Sequence, residues 1–367
     1  MQFIDLKSQY TKYRGGSTGI DARMQAVLDH GRYIMGPEIA EMEEALAQRV
    51  GMNHCISCAS GTDALYLPLL ALNIGAGDEV ITVPFTFIAT AEIIRLVGAT
   101  PVFIDIEADS YNMDPALLEA AITPRTKAII PVSLFGQVPD MTAINAIAER
   151  HNIPVLEDGA QSFGAEHDAG ASNGLSAIGC TSFFPSKPLG CYGDGGAVFC
   201  QDDELAQIMR ELRAHGQTRR YVHSRIGMNA RMDTLQAAVI LGKLEHFDDE
   251  VAARRRLGAR YSEALGDCVT VPKISAGNTH IYAQYSIQVD DREALREALQ
   301  AEGIPTAVHY PRPLHLQEAF ADLGGKMGDF PVSEKTSQHI VSLPMSPFLT
   351  QADQDQVIAA VRRALKA

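Results

Sequence analysis

From about residue 38 to residue 200, two hydrophobic rhythms alternate along the chain. Short, largely apolar runs at His54–Ser57, Glu79–Thr82, Pro101–Ile104, Ala128–Pro131, Pro154–Glu157, Cys180–Ser182 and Ala197–Phe199 have the length of buried strands. Between them, apolar positions at three- and four-residue steps predict helices over Ala64–Leu72, Phe87–Val97, Pro115–Ala121 and Met141–His151. This alternation predicts an α/β domain with a mainly parallel sheet. Arg231–Leu265, rich in Ala, Leu, Glu and Arg, reads as one long helical region connecting a large domain to a smaller one. A strand over Ala283–Val289, a helix over Arg292–Ala301 and a terminal helix over Gln351–Leu365 then predict an α+β unit, with Tyr310-Pro311-Arg312-Pro313 shaping a loop inside it. The expected division is a large domain with an N-terminal arm over residues 1–246 and a small C-terminal domain over residues 247–367.

Composition narrows the choice of ligand. Apolar residues make up 46% and charged residues 21% of 367, the usage of an ordinary folded, water-soluble chain. A net charge of −14 argues against a nucleic-acid partner, so an anionic ligand would have to rely on local donors. The six cysteines lack the density of a disulfide scaffold, and Cys55-Ile56-Ser57-Cys58 has no second pair at zinc spacing, so a buried strand with reduced thiols and no metal is expected there. Met1–Lys7 has no secretory pattern and no apolar run reaches the ~18 residues of a membrane span, so a cytoplasmic protein without membrane association is expected.

Three segments carry candidate chemistry. Ser60-Gly61-Thr62-Asp63-Ala64-Leu65 follows a strand and opens a helix, where free amides and the helix dipole attract a phosphate; a plain N-cap is the alternative. No dinucleotide or NTP glycine motif accompanies it, which favours a small phosphate. Val155–Gln161 places acids at the end of an apolar strand, where they could cap, bind a metal, or keep a pyridine nitrogen protonated. Thr181–Lys187 brings one lysine to a further strand end among apolar residues that would lower its pKa, unless it is a solvated loop lysine. Ser182 could add a hydroxyl to the phosphate, and the glycines of Gly190–Gly196 permit close backbone packing. The order is more specific than any one part: phosphate turn, aromatic segment Pro84-Phe85-Thr86-Phe87, Asp158, and Lys187 twenty-nine residues later.

These motifs, with Gly193-Asp194-Gly195-Gly196-Ala197, Phe3-Ile4-Asp5-Leu6 and Val308-His309-Tyr310-Pro311, resemble the DegT/DnrJ/EryC1/StrS family of nucleotide-sugar aminotransferases over nearly the whole chain. The resemblance implies a fold-type-I architecture dependent on pyridoxal 5'-phosphate (PLP), with active sites shared across a homodimer. It implies that Lys187 carries the cofactor as a Schiff base and later shuttles the proton. Asp158 would pair with the pyridine nitrogen, Gln161 lie by the ring hydroxyl and Phe87 stack on the ring. Gly61, Thr62, Asp63 and Ser182 would hold the phosphate, joined by Asn229 from the partner subunit. Lysine at 187, where some family members carry histidine, points to amination rather than loss of a hydroxyl.

Within the family, the resemblance is closest to the UDP-2-acetamido-2-deoxy-ribo-hexuluronate aminotransferases, which use L-glutamate to aminate a 3-keto group for cell-surface polysaccharides such as lipopolysaccharide. Arg231, His309 and Tyr310 are then the candidates for the substrate carboxylate, against the plain reading of a capping arginine and a loop histidine. Gly15-Gly16-Ser17-Thr18-Gly19 reads as a flexible insert, and Asp168–Gly174 lacks the basic residues often seen in that loop. A PLP enzyme acting on another 3- or 4-keto-deoxy nucleotide sugar or on an amino acid, or a non-catalytic regulatory protein of the same fold, are the alternative readings.

Overall fold

The computed structural model describes residues 1–366. Seven strands are the framework: β1 (His54–Cys58), β2 (Glu79–Thr82), β3 (Thr100–Phe103), β4 (Thr126–Ile129), β5 (Leu156–Asp158), β6 (Ile178–Ser182) and β7 (Gly196–Cys200). One ladder runs β1-β7-β6-β5 and the other β4-β2-β3. Parallel bridges Ile129–Val155 and Val132–Asp158 join them into one sheet. Every neighbouring pair is parallel except those of β7, which runs against both β1 and β6. Apolar side chains on both faces, such as Ile56, Val80 and Val198 on one and Cys55, Ile81 and Phe199 on the other, are covered by helices that include Gly61–Ala71 and Ala89–Leu96 on the first and Met141–Arg150 on the second. Burial on both faces explains runs that do not alternate with polar residues.

This topology creates the site edge. The parallel strands end together, and a chain leaving β2, β5 or β6 emerges at the same rim. Because β7 is reversed, its first residue lies there too, with Gly196 opposite both Cys58 and Ser182. A Cβ on Gly196 would lie 2.4 Å from the Ser60 carbonyl oxygen, so only glycine lets β7 start against the turn after β1.

Beyond the sheet, Tyr285–Gln288 pairs antiparallel with Ile340–Leu343, covered by helices Arg292–Ala301 and Gln351–Ala364. The region predicted as one helix over Arg231–Leu265 is two, Thr234–Leu244 and Phe247–Leu265. The break falls where His246 stacks on Tyr13, with ring centroids 4.3 Å apart, and where Asp248-Asp249-Glu250 favour a new helix N-terminus. The second helix buries Phe247 and Val251 in the core around β1 and β7, and Tyr261 and Leu265 in the C-terminal core.

Gly15–Gly19 is wound tightly rather than loosely inserted. A Cβ on Gly19 would sit 2.0 Å from the Gly15 carbonyl oxygen, and Arg14 and Asp21 close the turn as an ion pair. Gly19 caps the helix Ile20–His30. Cys55 and Cys58 are buried in β1 as reduced thiols, as their apolar setting led us to expect. Among the described residues, no helix is long and apolar enough to cross a membrane.

Candidate active site

The turn after β1 uses its polar groups in two ways. Ser60 caps the helix Gly61–Ala71: its Oγ accepts from Asp63 N–H at 3.0 Å and donates to the Asp63 carboxylate at 3.0 Å. Asp63 is thereby committed to Ser60, and burial holds its carboxyl above the usual value. Among the described residues, the amides of Gly61 and Thr62 have no acceptor. Beside them stands Ser182 at the end of β6, so close that a Cβ on Gly61 would lie 2.8 Å from Ser182 Oγ. Two free amides, the Ser182 hydroxyl and a helix N-terminus therefore meet at one point, a setting that suits a phosphate.

At the end of β5, successive residues face opposite ways, as strand geometry requires. Glu157 is fully buried and holds the framework: it accepts from Ser133 Oγ at 2.7 Å, Ser172 Oγ at 2.6 Å and Asn173 N–H at 2.7 Å. The Asp168–Gly174 segment, noted in the sequence for lacking basic residues, thus turns Ser172 and Asn173 inward. Asp158 accepts from Thr90 Oγ1 at 2.7 Å and from Ala160 N–H at 3.2 Å. Burial pushes the Asp158 carboxyl up, while those two hydrogen bonds and the nearby Lys187 oppose the shift.

Lys187 follows β6 in a turn closed by its own N–H donating to the Phe184 carbonyl at 2.8 Å. Burial pulls its amine below the ordinary lysine value, and Asp158 pulls it back up. The predicted direction therefore holds, with Asp158 as the nearby countercharge.

The loop from the C-terminal region covers this pair. Gln161 donates through Nε2 to Tyr310 Oη at 3.0 Å and accepts through Oε1 from Phe135 N–H at 2.9 Å. Tyr310 lies against Phe85 and Phe87, with centroids 6.2 and 6.3 Å away. Phe87 is 53% exposed, so its ring is open to a further planar group. His309 Nδ1 lies 2.9 Å from Ser342 Oγ. Burial, with Lys187 adding to it, pulls His309 down to about 4. It is neutral near pH 7, and the charge assistance expected of it for a carboxylate is absent.

One chain does not join all the sequence-predicted residues. Asn229 is exposed, and neither it nor Arg231 makes a side-chain hydrogen bond to the Lys187 cluster. Arg231 Nε is buried without a partner. Thr90, the donor to Asp158, escaped the sequence reading; its signal was a hydroxyl three residues after Phe87, inside a predicted helix.

Comparison with known proteins agrees with this geometry. Residues 17–362 match the model of the DegT/DnrJ/EryC1/StrS aminotransferase family. The chain is 54% identical to UDP-2-acetamido-2-deoxy-3-oxo-D-glucuronate aminotransferase of Pseudomonas aeruginosa, over 98% of this chain and 99% of that one. It superimposes on a DegT DnrJ EryC1 StrS aminotransferase from Brucella abortus with a TM-score of 0.95, at 48% identity, covering 99% of both chains. It also superimposes on ntda from Bacillus subtilis with bound cofactor PMP, with a TM-score of 0.92 at 29% identity, covering 100% of this chain and 85% of that one. With its phosphate-sized cradle, its Asp158–Lys187 pair and a mixed α/β sheet of fold type I, the chain belongs to the DegT/DnrJ/EryC1/StrS aminotransferase family of PLP-dependent sugar aminotransferases.

Proposed function

We propose that this enzyme transfers the amino group of L-glutamate to the 3-keto carbon of a UDP-2-acetamido-2-deoxy-hexuluronate. The product would be a cytoplasmic precursor of a cell-surface polysaccharide such as lipopolysaccharide. The observation that carries the amino-transfer chemistry is that buried Asp158 ends β5 while Lys187, close enough for each to shift the other's pKa, stands in the turn after neighbouring β6. The choice of sugar is supported by the 54% identity to the Pseudomonas enzyme over nearly the full length of both chains.

The residues fit PLP. Gly61 and Thr62 offer free amides to a phosphate, Ser182 offers a hydroxyl, and Asp63 fixes Ser60 at the same turn. Bound PLP supplies an electron sink for the carbon that loses its proton. In our reading Lys187 Nζ holds the cofactor and then moves the proton at the substrate carbon, a task its lowered pKa suits. Asp158 holds a negative charge at the pyridine nitrogen, Gln161 lies by the ring hydroxyl and Phe87 covers the ring face. Arg231 provides the positive charge for a substrate carboxylate, with Tyr310 and neutral His309 lining the same pocket.

We read the molecule as a homodimer with shared sites, to which Asn229 of one subunit contributes at the phosphate of the other. Exposed apolar residues support this: Tyr33, Ile34 and Met35 border the Asn229–Thr234 segment through a bridge from Ile34 to Asp233, and Tyr221 and Ile226 project nearby in sequence. We also propose the division at residues 246 and 247, supported by the break there between the helices Thr234–Leu244 and Phe247–Leu265.

The test offers glutamate with the UDP-3-keto uronate and with a 4-keto-6-deoxy nucleotide sugar. Faster amination of the uronate is expected, and preference for the other sugar refutes the Arg231 assignment. Borohydride reduction of the PLP-loaded protein should place the label on Lys187, with Lys187→Ala folded but unlabelled and inactive. Protein that stays colourless with PLP would sink the reading.

A further inference from the structure

The helix Thr234–Leu244 grips the segment following Lys187 at two points. Lys243 Nζ donates to the Gly190 carbonyl at 2.6 Å, and Tyr192 N–H donates to Gln236 Oε1 at 2.8 Å. Gln236 and Lys243 are two turns apart on one helix face, so a single rigid element holds both ends of the Gly190–Tyr192 stretch. The Met232 methyl, just before the helix, closes on Gly195 a few residues further along: a Cβ there would meet it at 2.9 Å and Cys191 Sγ at 3.2 Å.

Lys243 is only 2% exposed, and among the described residues its one hydrogen bond is to the Gly190 carbonyl, with no ion pair. Its ammonium lies 4.4 Å from the Tyr192 ring centroid. Burial pulls it down to about 8, with Glu250 and Cys191 resisting. A lysine in such a place costs desolvation that a methionine of similar length would not. What the amine adds is a tie to one loop carbonyl. The turn it holds is tight: Gly190 packs so closely that a Cβ would lie 2.5 Å from the Pro185 carbonyl oxygen, and Lys187 N–H closes the turn onto Phe184. Lys187 therefore projects from a turn whose far end is anchored by Lys243.

We propose that Lys243 is a positioning residue for Lys187: by holding the Gly190 carbonyl it fixes the Phe184–Gly190 turn, and with it the direction in which the Lys187 amine enters the site. The inference rests on the assignment of Lys187 as the cofactor-bearing lysine.

The experiment compares the full-length wild type with Lys243→Met, Lys243→Arg and Gln236→Leu. Amide hydrogen exchange is followed in peptides covering residues 184–193, without and with PLP, and steady-state kinetics are measured with PLP. In Lys243→Met, exchange in these peptides should accelerate about tenfold or more, and kcat should fall by a similar factor, the loss of one charge-assisted hydrogen bond. KM for glutamate should stay within about twofold, because the anchor touches no substrate. Lys243→Arg, which keeps a charged donor, should recover most of both effects. Gln236→Leu should quicken the same peptides, and it carries the test if Lys243→Met does not fold. Unchanged exchange and kcat in Lys243→Met overturn the proposal; so do unchanged values in Gln236→Leu where the methionine variant is unfolded. Exchange in the PLP-free protein keeps the outcomes separate. Failure to bind PLP with an intact exchange effect strikes the functional assignment, whereas normal PLP binding without the effect strikes Lys243 alone.

Discussion

Thr90 Oγ1 donates to Asp158 Oδ2 at 2.7 Å, joining the first turn of a helix to the end of a strand 68 residues away. This bond and the Ala160 amide orient a carboxylate that burial would otherwise push towards its neutral form. Thr90→Val keeps the shape and removes the donor. We expect kcat to fall about tenfold, the scale of one hydrogen bond to a charged group. The visible band of the PLP-loaded variant, followed against pH, checks this: if Asp158 no longer holds its charge, the band's pH midpoint should move, and an unmoved midpoint with wild-type kcat refutes the role.

Gly61 has no room for a methyl group. A Cβ there would lie 2.5 Å from Ser182 Cβ, so Gly61→Ala must part the helix N-terminus from the end of β6. Overpacking of this kind costs about 1–3 kcal/mol, which should appear as roughly tenfold weaker PLP binding in a fluorescence titration. The far-UV circular dichroism should not change.

Glu157 holds three donors in a site without water access. Replacing it with leucine strands the hydroxyls of Ser133 and Ser172 and the amide of Asn173. Urea unfolding should show a loss of about 3 kcal/mol or more. Glu157→Gln retains polar atoms at the same places and should lose less.

Two buried histidines make the fold sensitive to acid. Burial pulls His280 down to about 3 and, with Lys187 nearby, His309 down to about 4. His280 has a structural reason to stay neutral: its Nδ1 accepts the Tyr282 N–H at 2.9 Å, which a protonated ring cannot do. As pH falls below about 6.5 the unfolded chain takes up these protons and the folded chain does not, so stability falls from there towards about pH 4. Each group contributes at most about 1.4 kcal/mol per pH unit, and neither adds a slope above about pH 7. Unfolding midpoints between pH 7 and 5 should drop, and His280→Phe should flatten that limb.

Much of this was legible in the chain. Strand runs, the helix start at Ser60, the acid at a strand end and the lysine after the next strand are local patterns, each governed by neighbouring residues, and they placed Gly61, Asp158, Ser182 and Lys187 on one rim. Periodicity misjudged what depends on distant partners. The Arg231–Leu265 region breaks because His246 stacks on Tyr13 from near the start of the chain, and Gly15–Gly19 is held by Thr18 donating to Glu245.

By itself, then, the sequence determined the α/β rhythm, the order of the motifs and the chemical types of side chain offered at the rim, since these follow from local propensity and residue chemistry. Only the tertiary structure decided that β7 runs backwards to bring Gly196 to the rim, that Thr90 fixes Asp158, that His309 is neutral, and that Lys243 holds the turn bearing Lys187. Each of these depends on burial or on contact between residues tens of positions apart, and no local pattern encodes such distances.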